Sequence, residues 1–234
     1  MSVDKSSLRI VNDLSDFMNN KPDGIYLHIN KKNFYKNYAL IIGPKNTPYF
    51  GGFFLFEIIF PKDYPKKPPS VNFLTINNQV RFNPNLYENG KVCLSILGTW
   101  SGPKWRPVMN LKLVLLSIQS LLGEYPIQNE PGFVNTKSDN NLSINYNSYI
   151  IYNTYKIAII DILKNKFKKY TKYFEKEIKD EFEKNFEQLN NDILSYKETL
   201  NEIYFEKIIY FLPCRNVLNF KSLCKDFSKI KNMT

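Results

Sequence analysis

Residues 82–97 read FNPNLYENGKVCLSIL, and the whole chain is best understood outward from this stretch. It holds a cysteine, Cys93, eight residues after Asn85, with an Asn-Gly pair (Asn89-Gly90) between them. Asn-Gly favours a tight turn because both residues tolerate a left-handed backbone. A thiol and a carboxamide held by such a turn supply a nucleophile and a hydrogen-bond donor. That combination can carry an acyl group as a thioester. On residue type alone a buried structural cysteine beside a hairpin is the commoner use, so the flanking sequence has to decide.

The 234 residues suffice for one substantial core, or for a domain with an appendage. Hydrophobic residues at 43% and charged residues at 23% fit a soluble globular chain, and the 15% aromatic share argues against disorder. No apolar run approaches the ~20 residues a membrane helix needs. The first residues, MSVDKSSLRIVNDL, lack the apolar core of a secretory signal. Cysteines stand at 93, 214 and 224, an odd number without metal-site spacing, and His28 is the only histidine. No metal or organic cofactor is expected from this set. A reducing compartment, cytosol or nucleus, is the expectation.

The formal charge is +10, which raises the question of nucleic acid. Only Arg9, Arg81, Arg106 and Arg215 are arginines, the residue suited to phosphate forks and base edges. The lysines are spread over both halves of the chain, a diffuse field that aids solubility and encounter with acidic partners. Composition therefore disfavours nucleic acid.

Residues 7–18 carry apolar positions at helical spacing, with Asn19-Asn20-Lys21-Pro22 as a stop. Alternation at Ile25, Leu27 and Ile29 predicts a strand, which makes His28 a strand residue and not a catalytic base. Strands are predicted at 38–42, at 53–60 (FFLFEIIF) and at 71–75, with a four-proline loop over Pro61–Pro69 that cannot enter a sheet. Short connections imply an antiparallel meander with the first helix over one face. A helix is predicted over 109–122, with Leu113, Leu116, Ile118, Leu121 and Leu122 in the core. From Asn145 onward the chain reads as helix, with a stripe running Phe167, Tyr170, Phe174, Ile178, Phe182, Phe186, Leu189 and Ile193. Pairs Glu175–Lys179 and Asp180–Lys184 support its outer side. A last helical pair is predicted over 200–212 and 217–230, broken at Pro213.

Taken together, residues 82–97 resemble the active-site segment of ubiquitin-conjugating (E2) enzymes, which have His-Pro-Asn, a tyrosine, a glycine turn and then the acceptor cysteine at this spacing. Gly43-Pro44, Thr47-Pro48-Tyr49, Gly51-Gly52, Tyr64-Pro65, Pro68-Pro69 and Trp105-Arg106-Pro107 match the same family in order. The resemblance covers residues 5–135 or so. Asn-Pro-Asn, the GTW loop and NEPGF at 129–133 resemble a subgroup of larger members, which includes the enzyme charged by the second ubiquitin activator. Residues 145–163 extend that similarity. The resemblance implies an α+β chain: a four-stranded antiparallel meander, an N-terminal helix, a central crossover helix and a C-terminal helical extension. Its implied division is a conjugating core over 1–166 and an extension over 167–234.

It further implies Cys93 as the acceptor of ubiquitin, or a ubiquitin-like modifier, from an activating enzyme (E1). Asn85 matches the family asparagine, which either stabilises the tetrahedral oxyanion or braces the loop. Both readings stay open here. Asn83 replaces the family histidine and is expected, with Pro84, to support the loop through side-chain to backbone bonds. Ser95 stands where aspartate is common. Glu130 stands where the family places an acidic gate for the incoming substrate lysine. Lys5 and Arg9 correspond to the activator-binding helix; Pro61, Tyr64, Lys66, Trp105 and Pro107 correspond to the surface that ligases grip. Lys66 replaces a phenylalanine typical of partners of HECT ligases, so RING-type ligases are expected instead. The competing reading is a catalytically weak binding module, with residues 208–230 as an F-box-like interaction segment.

Overall fold

The computed structural model describes residues 5–200, 202–205 and 216–230. Helix α1 (Lys5–Asn19) turns Ile10, Leu14 and Phe17 inward, one helical stripe. Leu8, Val11 and Met18 stay exposed on its other side. Strands β1 (Ile25–His28), β2 (Lys36–Ile42), β3 (Phe53–Ile59) and β4 (Ser70–Phe73) then pair as an antiparallel meander in sequence order. Helix α2 (Leu111–Leu121) starts at Asn110, whose side chain accepts from the Leu113 amide at 3.0 Å.

The buried face of α2 is Leu111, Val114, Leu115, Ile118 and Leu121. Leu113 and Leu116, expected in the core, are 40% and 37% exposed. This helix is apolar nearly all round, so spacing alone admits two neighbouring stripes, and the sheet selects one.

Later segments among the described residues pack on the other face of the sheet. Helix α3 (Asn141–Asn153), capped by the Asn140 side chain, starts earlier than expected and runs on as π-helical turns over Thr154–Asp161. Asn165 in the left-handed region (φ 60°) ends it. A short α4 (Lys168–Thr171) and the long α5 (Glu175–Thr199) follow. The continuous helix read from the sequence is thus interrupted before Glu175, where Glu175 and Glu177 favour a new start at the positive end of the helix dipole. Lys184 pairs with Glu181 at 3.4 Å, and Lys179 with Glu183 at 3.8 Å.

Beyond α5, residues expected to be helical form β5 (Glu202–Phe205) and β6 (Asn216–Asn219), an antiparallel pair, before α6 (Phe220–Ile230). Short apolar runs do not distinguish strand from helix by period, which is why 202–205 and 217–219 were misassigned. Pro213 and residues 208–215 of the F-box-like segment lie outside the described residues. Phe227 of α6 returns against Tyr155, Phe182 and Phe186, with ring centroids at 5.4, 6.2 and 5.9 Å.

These C-terminal helices dock on the sheet through named contacts. The Tyr26 hydroxyl donates to Glu181 at 2.6 Å. Tyr173 stacks on both His28 (4.2 Å) and Tyr38 (4.9 Å). Leu40 and Leu55 share that face by register and are buried. A side chain at Gly51 (φ +71°) would meet Leu189 Cδ2 at 2.9 Å, so the close approach of α5 requires glycine there. On the opposite face Phe54 and Phe73 meet Phe82 at 5.4 and 5.9 Å. Burial on both sides explains why FFLFEIIF shows almost no polar alternation.

Candidate active site

Phe82 carries the sheet directly into the active segment. Tyr87 N–H donates to Lys91 O and Gly90 N–H to Tyr87 O, both at 3.0 Å, closing the predicted turn. Gly90 sits at φ +90°, and a Cβ there would stand 2.8 Å from the Phe73 carbonyl, so no other residue fits. The returning chain brings Cys93 against Asn85 with reciprocal bonds. Cys93 N–H donates to Asn85 O at 2.8 Å, and Asn85 Nδ2 donates to Cys93 O at 2.6 Å.

Behind this pair lies a buried amide network. Asn83 Oδ1 accepts from the Asn85 amide at 2.9 Å, while its Nδ2 donates to Leu121 O at 2.8 Å and to Tyr49 Oη at 3.1 Å. Tyr49 in turn donates to Phe82 O at 2.7 Å. Asn83 therefore joins the active segment to the end of α2 and to the loop before β3. Thr99 fastens the downstream side: its hydroxyl donates to Val92 O at 2.7 Å and accepts from Leu94 N–H at 3.0 Å. Ser95 opens a 3-10 turn, Ser95–Leu97, on the rim.

The Cys93 side chain is fully buried. Burial raises the pKa of the nearby Tyr87 phenol, and the Arg81 guanidinium opposes that shift. The Arg81 guanidinium lies 3.7 Å from the Tyr87 ring centroid, and Arg81 also donates to Pro84 O. Glu130, only 4% exposed, belongs to the same electrostatic group, because its charge acts on both Tyr87 and Tyr146.

Cys93, Asn85, Asn83 and Pro84 are thus gathered at one place, with Ser95 beside it, and Glu130 is buried next to Asn129, whose Nδ2 donates to Asn83 Oδ1 at 3.4 Å. Tyr87 and Arg81 were not singled out from the sequence for chemistry. Their signal was available, since a tyrosine and an arginine flank Asn-Pro-Asn within the same short segment.

The residues expected at partner surfaces form a second group. Arg9 is spent internally: it pairs with Asp13 at 2.8 Å and donates to Pro107 O (2.8 Å) and Met109 O (2.7 Å). Tyr64, expected on the ligase surface, is 1% exposed and donates to Asp13, so it lies beneath that surface and supports it. Trp105 Nε1 donates to Pro65 O at 2.7 Å, tying the two loops together. Lys5, Lys66 and Pro107 are exposed, and Pro61 is half-buried. Among the described residues no group of three or more His, Cys, Asp or Glu side chains could hold a metal ion.

Chemically, the segment offers a thiol next to a carboxamide. Asn85 Nδ2 has two protons and gives one to Cys93 O, and among the described residues it makes no further bond.

Residues 9–150 match the family model for ubiquitin-conjugating enzymes. The chain is 49% identical over 160 residues to ubiquitin-conjugating enzyme E2 Z of Xenopus tropicalis, covering 68% of this chain and 51% of that one. It is 48% identical over 160 residues to the human E2 Z, covering 68% and 45%. Similarity to the human dual E2 ubiquitin-conjugating enzyme/E3 ubiquitin-protein ligase BIRC6 is 47% over 136 residues, 54% of this chain and 3% of that one. The structure of human ubiquitin-conjugating enzyme E2 G1 aligns with a TM-score of 0.46 at 34% identity, over 52% of this chain and 98% of that one. The chain spans about half the length of the E2 Z relatives it matches. With the matched span enclosing the whole sheet, Asn85, Cys93 and Glu130, the chain belongs to the ubiquitin-conjugating enzyme family.

Proposed function

We propose that this chain is a working carrier that takes ubiquitin, or a ubiquitin-like modifier, from an activating enzyme and passes it to lysines of protein substrates. The Cys93 thiolate attacks the modifier's C-terminal thioester carbonyl and expels the activator's thiolate. A substrate lysine amine then attacks the Cys93 thioester, expels the Cys93 thiolate and leaves an isopeptide bond. Asn85 donates to the tetrahedral oxyanion of the second step, the attack of the lysine amine. Glu130 takes the proton lost by the amine. The single observation that supports this reading is the reciprocal Asn85–Cys93 pair, in which the Asn85 carboxamide bonds the main chain of Cys93.

The remaining assignments rest on the family. Residues 1–166 form the conjugating core, and 167–234 the extension docked upon it. Lys5 with the α1 surface meets the activator, the second ubiquitin activator in particular. Pro61, Lys66 and Pro107, supported from below by Tyr64 and Trp105, meet a RING-type ligase. An exposed Lys66 ammonium is costly to bury in the apolar pocket of a HECT ligase. The protein works in the cytoplasm or nucleus. Among the described residues no helix is long and apolar enough to cross a membrane. The test is single-turnover charging with ubiquitin, ATP and each of the two activator types, with products resolved without reductant. A reductant-sensitive adduct with one activator supports the proposal, and no adduct with either activator overturns it.

A further inference from the structure

Beside the active segment the surface opens into a groove of about 460 Å3. One wall is the proline-rich loop and the start of β4, and the other is drawn from residues 89–99. Lys67 and Lys91 line it, Ser70, Asn72, Asn89 and Thr99 add neutral polar groups, and no carboxylate among the described residues does so. Thr99 also binds the residues on both sides of Cys93, and Val92 lines the groove, so the groove runs alongside the active segment, with Cys93 itself buried next to its wall residue Val92.

The charges here are available. Lys91 is exposed and ion-pairs with no carboxylate among the described residues. Lys67 holds Asp63 at 3.1 Å, but the two side chains are 72% and 42% exposed. A pair that wet is weak and exchanges readily for another carboxylate. A substrate lysine reaching Cys93 brings its flanking residues with it, and those that leave along this groove meet Lys91 and Lys67, the latter in its weak pair with Asp63. We propose that the groove is a substrate subsite that selects lysines flanked by acidic residues, with Lys91 and Lys67 receiving the carboxylates. This inference rests on the carrier reading above.

The test uses the full chain, loaded on Cys93 and freed of activator. Discharge is timed onto two peptides, each with one lysine, flanked on both sides by glutamate in one and by glutamine in the other. The glutamate peptide is expected to discharge about two- to fivefold faster, the range exposed ion pairs supply. That ratio should fall as salt rises. Lys91→Glu should bring the ratio to one or below, and Lys67→Glu should lower it by less. Taking the ratio within each variant removes any change in basal rate. A ratio near one in the wild type, or one that survives both reversals, overturns the proposal. So does a Lys91→Glu defect in charging as large as its defect in discharge, which would assign the groove to the modifier's tail. Failure to load Cys93 at all would overturn the carrier reading itself, before any peptide is added.

Discussion

The sheet is covered on its two faces by very different means. On one face Phe54, Phe73 and Phe82 lead within a few residues into the Asn85–Cys93 turn, whose bonds join neighbours in sequence. On the other, Tyr26, His28 and Tyr38 wait for Tyr173 and Glu181, well over a hundred residues downstream. Cys93 is therefore positioned largely by short-range backbone closure, and the extension by long-range side-chain packing.

Substitutions on either side can break or sharpen this contrast. Cys93→Ala should abolish the reductant-sensitive adduct completely while leaving thermal stability near wild type; a surviving adduct would move the acceptor elsewhere. Leu189→Ala, at a fully buried position against Gly51, should cost about 2–5 kcal/mol of stability. Its urea curves by helical circular dichroism and by tryptophan fluorescence should shift together, because both tryptophans lie in the loop beyond the active segment, far in sequence from α5. A shift confined to the helical signal would show an extension that unfolds alone.

The smallest expected effect concerns pH. Burial lowers the His28 pKa, and Glu177 partly opposes that shift. With the folded value below the unfolded one, the contribution of His28 is complete above about pH 6.5 and is lost as pH falls toward the folded value. His28→Phe should keep the stack with Tyr173 and flatten the stability profile between about pH 7 and 5. An identical acid slope in both proteins would assign the titration to another group.

How much of this was legible in the sequence follows the same division. The meander and the Asn-Gly turn could be read because alternation, glycine and proline act over a few residues. So could the meeting of Asn85 with Cys93. The face of α2 could not, since Leu113 and Leu116 are as apolar as their buried neighbours. The stripe Phe174, Ile178, Phe182 and Leu189 announced a buried helix, yet nothing local named the sheet as its partner. The strands at 202–205 and 216–219 were hidden because each is too short to show a period. Burial of Glu130 also depends on chain segments meeting in space, which spacing along the sequence does not record.

The most direct measurement of the Asn85–Cys93 pair separates loading from transfer. Wild type and Asn85→Ala would be loaded to the same extent, freed of activator and mixed with free lysine, and the decay of the thioester timed. Discharge slower by about 10²–10³-fold at near-normal loading is the predicted result, the loss typical of one oxyanion donor. Equal discharge, or loading lost in the same proportion as discharge, would contradict it and leave Asn85 as a brace of the loop alone.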